Sequence, residues 1–213
     1  MDNYQYEPIV ISGPSGAGKT MIITNLRSKY KEMINEAVGY TTRKPRYGER
    51  DGEEYYFVTK NHFKSMIDNN EFIEYIEYLD EFYGMPISEL VKAKQQLKIF
   101  NVGLTSAMEI KKRCPKAITI YILPPNAKEL LRRIGDRGRK RYEIAKEEVK
   151  QVSEFYEYLV ISRTNRIEES VREIEEIIFN NSRKNLMENN KDFILHYYDE
   201  ENPLWNGFSS ILK

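Results

Sequence analysis

The segment Gly13-Pro14-Ser15-Gly16-Ala17-Gly18-Lys19-Thr20 spells glycine, four residues, glycine, lysine and a hydroxyl residue. The chemistry of that pattern is the cradling of a phosphate chain. Glycines let the backbone curl until successive N–H groups point inward at anionic oxygens, and a following helix turns its positive end toward the same anion. Lys19 is then spaced to reach the β and γ phosphates, and the Thr20 hydroxyl to ligate Mg²⁺. Gly13, Ser15, Gly16, Ala17, Gly18, Lys19 and Thr20 are therefore the expected ATP-binding residues, with Thr20 the expected metal ligand. A glycine-rich turn with a solvated lysine is the structural alternative.

A triphosphate site leaves the receiving group open, and Thr41-Thr42-Arg43-Lys44-Pro45-Arg46 carries the next signal. Two arginines three apart, with Pro45 stiffening the stretch between them, form either a fork for a second phosphate or a basic surface loop. Farther on, Arg132-Arg133-Ile134-Gly135-Asp136-Arg137-Gly138-Arg139-Lys140-Arg141 gathers cations on a glycine-punctuated stretch. Phosphoryl transfer needs positioned cations around the equatorial oxygens while water is excluded, a task this cluster fits. A solvated basic helix end is its bland reading.

Ile9 to Lys19, Thr41 to Arg46, Gly48-Glu49, Tyr55 to Val58, Phe63 to Glu74 and Tyr83-Gly84 resemble the guanylate kinase family in order and spacing, within a match that covers roughly residues 8–180. The resemblance implies a P-loop core, an acceptor-binding lobe at 39–89 and a short lid at 132–145. It implies ATP-dependent phosphorylation of a nucleoside monophosphate, GMP or dGMP first, to the diphosphate. By resemblance Arg43, Arg46, Tyr55 and Tyr83 hold the acceptor phosphate, while Glu74 accepts from the N1–H and amino group of guanine. Arg133 and Arg137 align with the family's lid arginines, so the implied catalytic set is Lys19, Arg43, Arg133 and Arg137. A carboxylate offers two acceptor oxygens to a base edge with two adjacent donors, which guanine has and adenine lacks. Period-two alternation puts Phe72, Glu74, Ile76 and Tyr78 on one strand face and Glu77 on the other.

The chain departs from the family around the acceptor. Gly39 and Met85 stand where serines are expected, Gly103 and Thr105 where aspartates are, and Glu148 where a further lid arginine is. Arg163-Thr164-Asn165 displaces an expected asparagine. Two readings remain open here. One is a kinase whose acceptor is GMP, a modified guanine nucleotide or a sugar phosphate. The other is a guanylate-kinase-like binding module without turnover.

These residues need a scaffold. Ile9-Val10-Ile11 reads as a buried strand entering the glycine turn, and Ile22, Ile23, Leu26, Tyr30 and Met33 follow helical spacing after it. Further strands are expected at Ile99 to Val102, Ala117 to Leu123 and Tyr158 to Ser162. Asn126 with Glu129 reads as a capping box opening a helix. The expected class is α/β, a P-loop three-layer parallel sheet core with a small inserted β-rich acceptor-binding lobe and a short lid. The expected division is a domain at 1–185, with core 1–38, 90–131 and 146–185, and an extension at 186–213 that holds Trp205 and either caps the core or forms a partner contact.

Composition bounds the rest. A chain of 213 residues with 33 basic and 33 acidic side chains has no global excess charge for nucleic acid or an anionic membrane. Nucleotide substrates are the expected partners, with no DNA or RNA and no membrane. Cys114, His62 and His196 are too few for a Cys/His metal cluster. Met1 to Pro8 lacks a basic-then-apolar signal pattern, so a cytoplasmic location is expected; a monomer or homodimer is the expected assembly.

Overall fold

A computed structural model of the chain describes residues 6–78, 80–93, 96–135, 139–182 and 185–198. Along the chain run β1 (Ile9–Ser12), α1 (Lys19–Lys29), β2 (Ile34–Glu36), β3 (Gly39–Thr41), β4 (Tyr55–Phe57), α2 (Lys60–Asp68), β5 (Phe72–Tyr78) and β6 (Glu81–Pro86). Then come α3 (Ile87–Ala93), β7 (Leu97–Asn101), α4 (Leu104–Arg113), β8 (Ile118–Leu123), α5 (Ala127–Ile134), α6 (Arg139–Phe155), β9 (Tyr158–Ile161), α7 (Ile167–Asn180) and α8 (Lys191–Leu195). A five-stranded parallel sheet has the order β2-β7-β1-β8-β9, and a smaller one has the order β4-β3-β6-β5. The expected α/β class with an inserted β-rich lobe is what these strands build. Every residue of β1 is buried, as a strand covered on both faces requires.

By contact density the chain divides into two compact units, Met1–Val10 with Arg27–Ile118, and Ile11–Leu26 with Thr119–Lys213. In the first, β2 and β7 pair in parallel, and Ile34, Ile99, Phe100, Ala107 and Ile110 are buried. The small sheet lies wholly in this unit. Its core is aromatic: Phe63 stacks on Phe72 at 4.5 Å and on Phe82 at 5.4 Å between ring centroids. Gly84 faces these rings because a Cβ there would come within 2.8 Å of Phe72 and 2.9 Å of Phe63. Thr59 caps α2 by accepting from the His62 N–H. Strands β3 and β4 pair in parallel, Gly39 opposite Tyr55, without a helix between them. Such a pairing demands a connection of about a dozen residues, and residues 42–54 with their arginines supply it.

Strand β5 departs from plain alternation. A register shift between Phe72 and Glu74 buries Phe72 and Ile73 in succession and leaves Ile76 exposed. Phe72 turns to Phe63 of α2, whereas Glu74 turns to Ser106 of α4. The single face expected for Phe72, Glu74 and Ile76 is therefore broken by a bulge, which adds a residue to one strand and re-aims the side chains beyond it.

In the second unit β8 and β9 pair in parallel, Ile120 opposite Tyr158, over a core that includes Ile22, Leu26, Ile122, Val160 and Ile174. Asn126 caps α5 as expected, accepting from the Glu129 N–H at 2.8 Å. The Glu129 carboxylate does not return to the cap; it is taken by arginines. Past 185, Met187, Ile194, Tyr197 and Tyr198 are buried, and Tyr198 meets Tyr142 of α6 edge to face at 5.2 Å. Trp205 lies outside the described residues. No helix among the described residues is long and apolar enough to cross a membrane.

One ion pair in the first unit is fully buried. Glu89 of α3, 1% exposed, accepts from Lys98 of β7 at 2.8 Å and from Lys92 at 2.6 Å. Removing one partner of such a pair leaves a charge without compensation in a low-dielectric site. Glu89→Leu is expected to lower the unfolding free energy by about 3 kcal/mol, and adding Lys98→Met to restore most of it, as measured by urea denaturation.

Candidate functional site

The glycine loop spans the end of β1 to the start of α1 and belongs to the second unit. Gly13, Gly16 and Gly18 have φ of +149°, +81° and +95°. A Cβ on Gly13 would sit 2.3 Å from the Ile122 carbonyl oxygen, and one on Gly18 would sit 2.7 Å from the Ser162 hydroxyl. Both conformation and space thus require glycine. The first turn of α1 carries no acid, so its positive end is not neutralised by its own side chains. Lys19 Nζ donates to the Gly13 and Pro14 carbonyls at 2.6 and 3.0 Å, while Thr20 is exposed. Ser15, Lys19, Thr20, Arg133, Arg163 and Asn165 line a cleft of 600 Å³. This donor set, a strained backbone cradle with an ammonium and an exposed hydroxyl, suits a polyphosphate accompanied by a hard divalent cation.

Arg133 comes to this loop from the last turn of α5. Its guanidinium donates to the Ser162 carbonyl and the Thr164 hydroxyl at 2.9 Å each, and to Glu129 Oε1 at 2.9 Å. Glu129 also accepts two bonds from Arg132 and one from Thr164. Bonds from Arg132, then Thr164 and Arg133, hold its carboxyl far below the usual carboxylate range. Glu129 and Thr164 were not among the expected site residues. The spacing of Glu129 to Arg132 and Arg133, three and four residues along a helix, was the available signal. Arg137 lies outside the described residues. Glu148, on α6, is half-buried with its carboxyl pushed up by burial.

In the first unit, Arg43, Tyr55 and Tyr83 come together. The Arg43 guanidinium lies 5.6 Å from the ring centroids of both Tyr55 and Phe57, and the Tyr55 and Tyr83 rings are 6.0 Å apart. Glu49 takes Arg43 in a two-pronged pair at 2.8 and 3.0 Å and also accepts from the Arg46 N–H at 2.7 Å. That pairing pushes Arg43 up and holds Glu49 down. Arg43 Nε is buried without a partner among the described residues, and the Arg46 side chain is exposed. Glu49 is a site residue that the sequence reading left without a role. The paired threonines tie the loop to β6: Thr41 donates to the Phe82 carbonyl, and Thr42 donates to Glu81 and accepts from the Phe82 N–H.

Glu74 lies apart from that arginine cluster, directed at α4. Its Oε1 accepts from the Ser106 hydroxyl at 2.5 Å, and its Oε2 is buried without a hydrogen-bond partner among the described residues. Burial pushes its carboxyl up, partly offset by Ser106. Gly39 and Met85 are adjacent: a Cβ on Gly39 would meet the Gly84 carbonyl at 3.0 Å and the Met85 methyl at 3.7 Å. A side chain at position 39 would press first on the Gly84 carbonyl, with the Met85 methyl in ordinary contact beside it. Gly103 is the N-cap of α4 without a side-chain cap bond, and a Cβ there would meet nothing within 4 Å. No carboxylate stands at Gly103 or Thr105.

Residues 5–181 match the sequence model of the family described as Guanylate kinase. The guanylate kinase of Clostridioides difficile is 38% identical over 202 residues, covering 91% of this chain and 96% of that protein. That of Caldanaerobacter subterraneus is 36% identical over 201 residues, covering 90% and 95%. Among solved structures, the crystal structure of guanylate kinase from Anaplasma phagocytophilum superposes with a TM-score of 0.64 at 27% identity, covering 84% of this chain and 87% of that one.

The Glu129 cluster has a pH signature. Its carboxyl is depressed in the folded state, so it stabilises the fold above the unfolded value of about 4.3 and loses that contribution as the pH falls below it. Glu129→Gln is expected to be less stable by about 1 kcal/mol at neutral pH. In denaturation series, the gap to the parent should shrink steadily below pH of about 4.

Proposed function

The chain belongs to the guanylate kinase family, and from that premise we propose that it transfers the γ-phosphoryl group of ATP to GMP, giving ADP and GDP. A phosphate oxygen of GMP bonds to the γ phosphorus as the bond from that phosphorus to the β–γ bridging oxygen breaks. The electron pair leaves with ADP. Little covalent help from the protein is needed, and what counts is where cations and donors stand.

The loop from Gly13 to Thr20 holds the triphosphate through its backbone N–H groups, with Lys19 at the β and γ oxygens. Mg²⁺, held through the Thr20 hydroxyl, would neutralise charge on those oxygens when bound. Arg133, braced by Glu129 and Thr164, stabilises the charge that develops on the transferring group, a task shared with Arg137. Arg43, Arg46, Tyr55 and Tyr83 take the phosphate of the acceptor. Glu49 keeps the Arg43 fork formed before the acceptor arrives. Glu74 reads the base, its unpartnered Oε2 awaiting a donor that guanine supplies.

The observation that carries this reading is the glycine cradle of positive φ closed by Lys19 and Arg133. A protein that only bound a phosphorylated partner has little physical need for a lysine and an exposed hydroxyl placed together on such a cradle. ADP release with ATP and Mg²⁺ is to be measured across nucleoside monophosphates and sugar phosphates. Turnover with GMP and little with AMP is expected. Nucleotide binding without turnover on any acceptor would overturn the enzyme reading in favour of a binding module. Arg43→Ala is expected to raise KM for GMP about 10- to 100-fold, as loss of charge-assisted bonds implies, while KM for ATP stays within about threefold. Lys19→Ala should lower kcat by about 10²- to 10³-fold in the same assay.

A further inference from the structure

The first turn of α4 sets a hydroxyl against the carboxylate that faces the acceptor. Leu104, Ala107 and Ile110 bury one side of this helix, so Ser106, itself 8% exposed, is held on a fixed support. A serine hydroxyl has one proton to give, and this one goes to Glu74 Oε1 at 2.5 Å. Oε2 then remains buried without a hydrogen-bond partner among the described residues. An unsatisfied carboxylate oxygen in such a position is unfavourable until a ligand donates to it. Glu74 stands opposite Met85 in the strand register, and Gly39 has no side chain.

We propose that Ser106 is a specificity-determining positioning residue, whose hydroxyl fixes the Glu74 carboxylate so that both of its oxygens lie along the two-donor edge of guanine. The proposal rests on the reading that Glu74 holds the base. Oε1 keeps a second lone pair after accepting from Ser106 and takes one base donor, while Oε2 takes the other. Without Ser106 the carboxylate rotates about its terminal torsion, which has no sharp staggered minima, and binding of GMP must restrict that motion. The penalty falls on the acceptor alone. It falls hardest on the ligand that needs both oxygens in place, so GMP loses more than IMP, which lacks the 2-amino donor.

The test is steady-state kinetics of the full chain with GMP and IMP. Ser106→Ala is expected to raise KM for GMP about tenfold, the loss of one hydrogen bond to a charged group. KM for ATP and kcat should stay within about twofold, and the preference for GMP over IMP should fall severalfold. Ser106→Cys, close in size but a weak donor, should match Ser106→Ala. Burial raises the Glu74 carboxyl, the Ser106 bond lowers it, and Glu109, the charged group acting on it among the described residues, raises it further from farther along α4. The acidic limb of the kcat/KM profile for GMP should therefore move to higher pH in both Ser106 variants. Unchanged KM and base preference in Ser106→Ala, with Glu74→Ala strongly impaired for GMP, would overturn the role of Ser106 alone. An unimpaired Glu74→Ala would overturn the reading of Glu74 itself. Equal losses for ATP and GMP with a lowered Tm in Ser106→Ala, or normal kinetics in Ser106→Cys, would also overturn the proposal.

Discussion

A site built for phosphates must hold several cations in place when no phosphate is there, and everything else in this molecule is arranged around that constraint. Each described cation at the centre of its cluster leans on a protein acceptor. Lys19 bonds to two loop carbonyls, Arg43 is forked by Glu49, and Arg133 is shared among Glu129, Ser162 and Thr164. The partners differ in what they ask of an incoming anion. Carbonyls release an ammonium for little electrostatic cost, whereas a carboxylate competes with the anion directly. On the role proposed for Arg43, Glu49 therefore acts as a stand-in for an acceptor phosphate, keeping Arg43 oriented while solvent is its rival.

What the sequence makes legible is local. The glycine loop, its strand and its helix are set by residues within a dozen positions of one another, and spacing alone expresses them. The pairing of Arg43 with Glu49, six residues apart, is equally local. The small second sheet could be read because its alternating stretches and glycines break the helical texture on either side. What escapes is pairing across long separations. Ser106 meets Glu74 over 32 residues and Thr164 meets Glu129 over 35, and no periodicity in one segment announces a partner in another.

The bulge in β5 is hidden for a different reason. Alternation of Phe72, Glu74, Ile76 and Tyr78 looks regular in one dimension, and only the pairing with β6 reveals the extra residue. The capping pattern at Asn126 failed halfway for a related reason. Glu129 had two ways to be satisfied, the backbone N–H of the cap or the guanidinium groups one turn along. Full positive charges outbid an amide. The departures at Gly39 and Met85, separate in sequence, are neighbours in space: the Met85 methyl lies at ordinary contact distance from where a Cβ on Gly39 would stand.

The parallel pairing of β3 with β4 has an evolutionary corollary. Backbone pairing clamps both ends of the 42–54 connection, Thr41 opposite Tyr83 of β6 at one end and Tyr55 opposite Gly39 at the other, so the sheet does not depend on what the connection contains. Lengthening a clamped loop changes its closure entropy slowly, by about 0.6 kcal/mol for each doubling. The segment that carries Arg43 and Arg46, proposed above to take the acceptor phosphate, is thus the part of the lobe freest to drift. New acceptors could be sampled there by insertion and substitution while the aromatic core beneath stays unaltered.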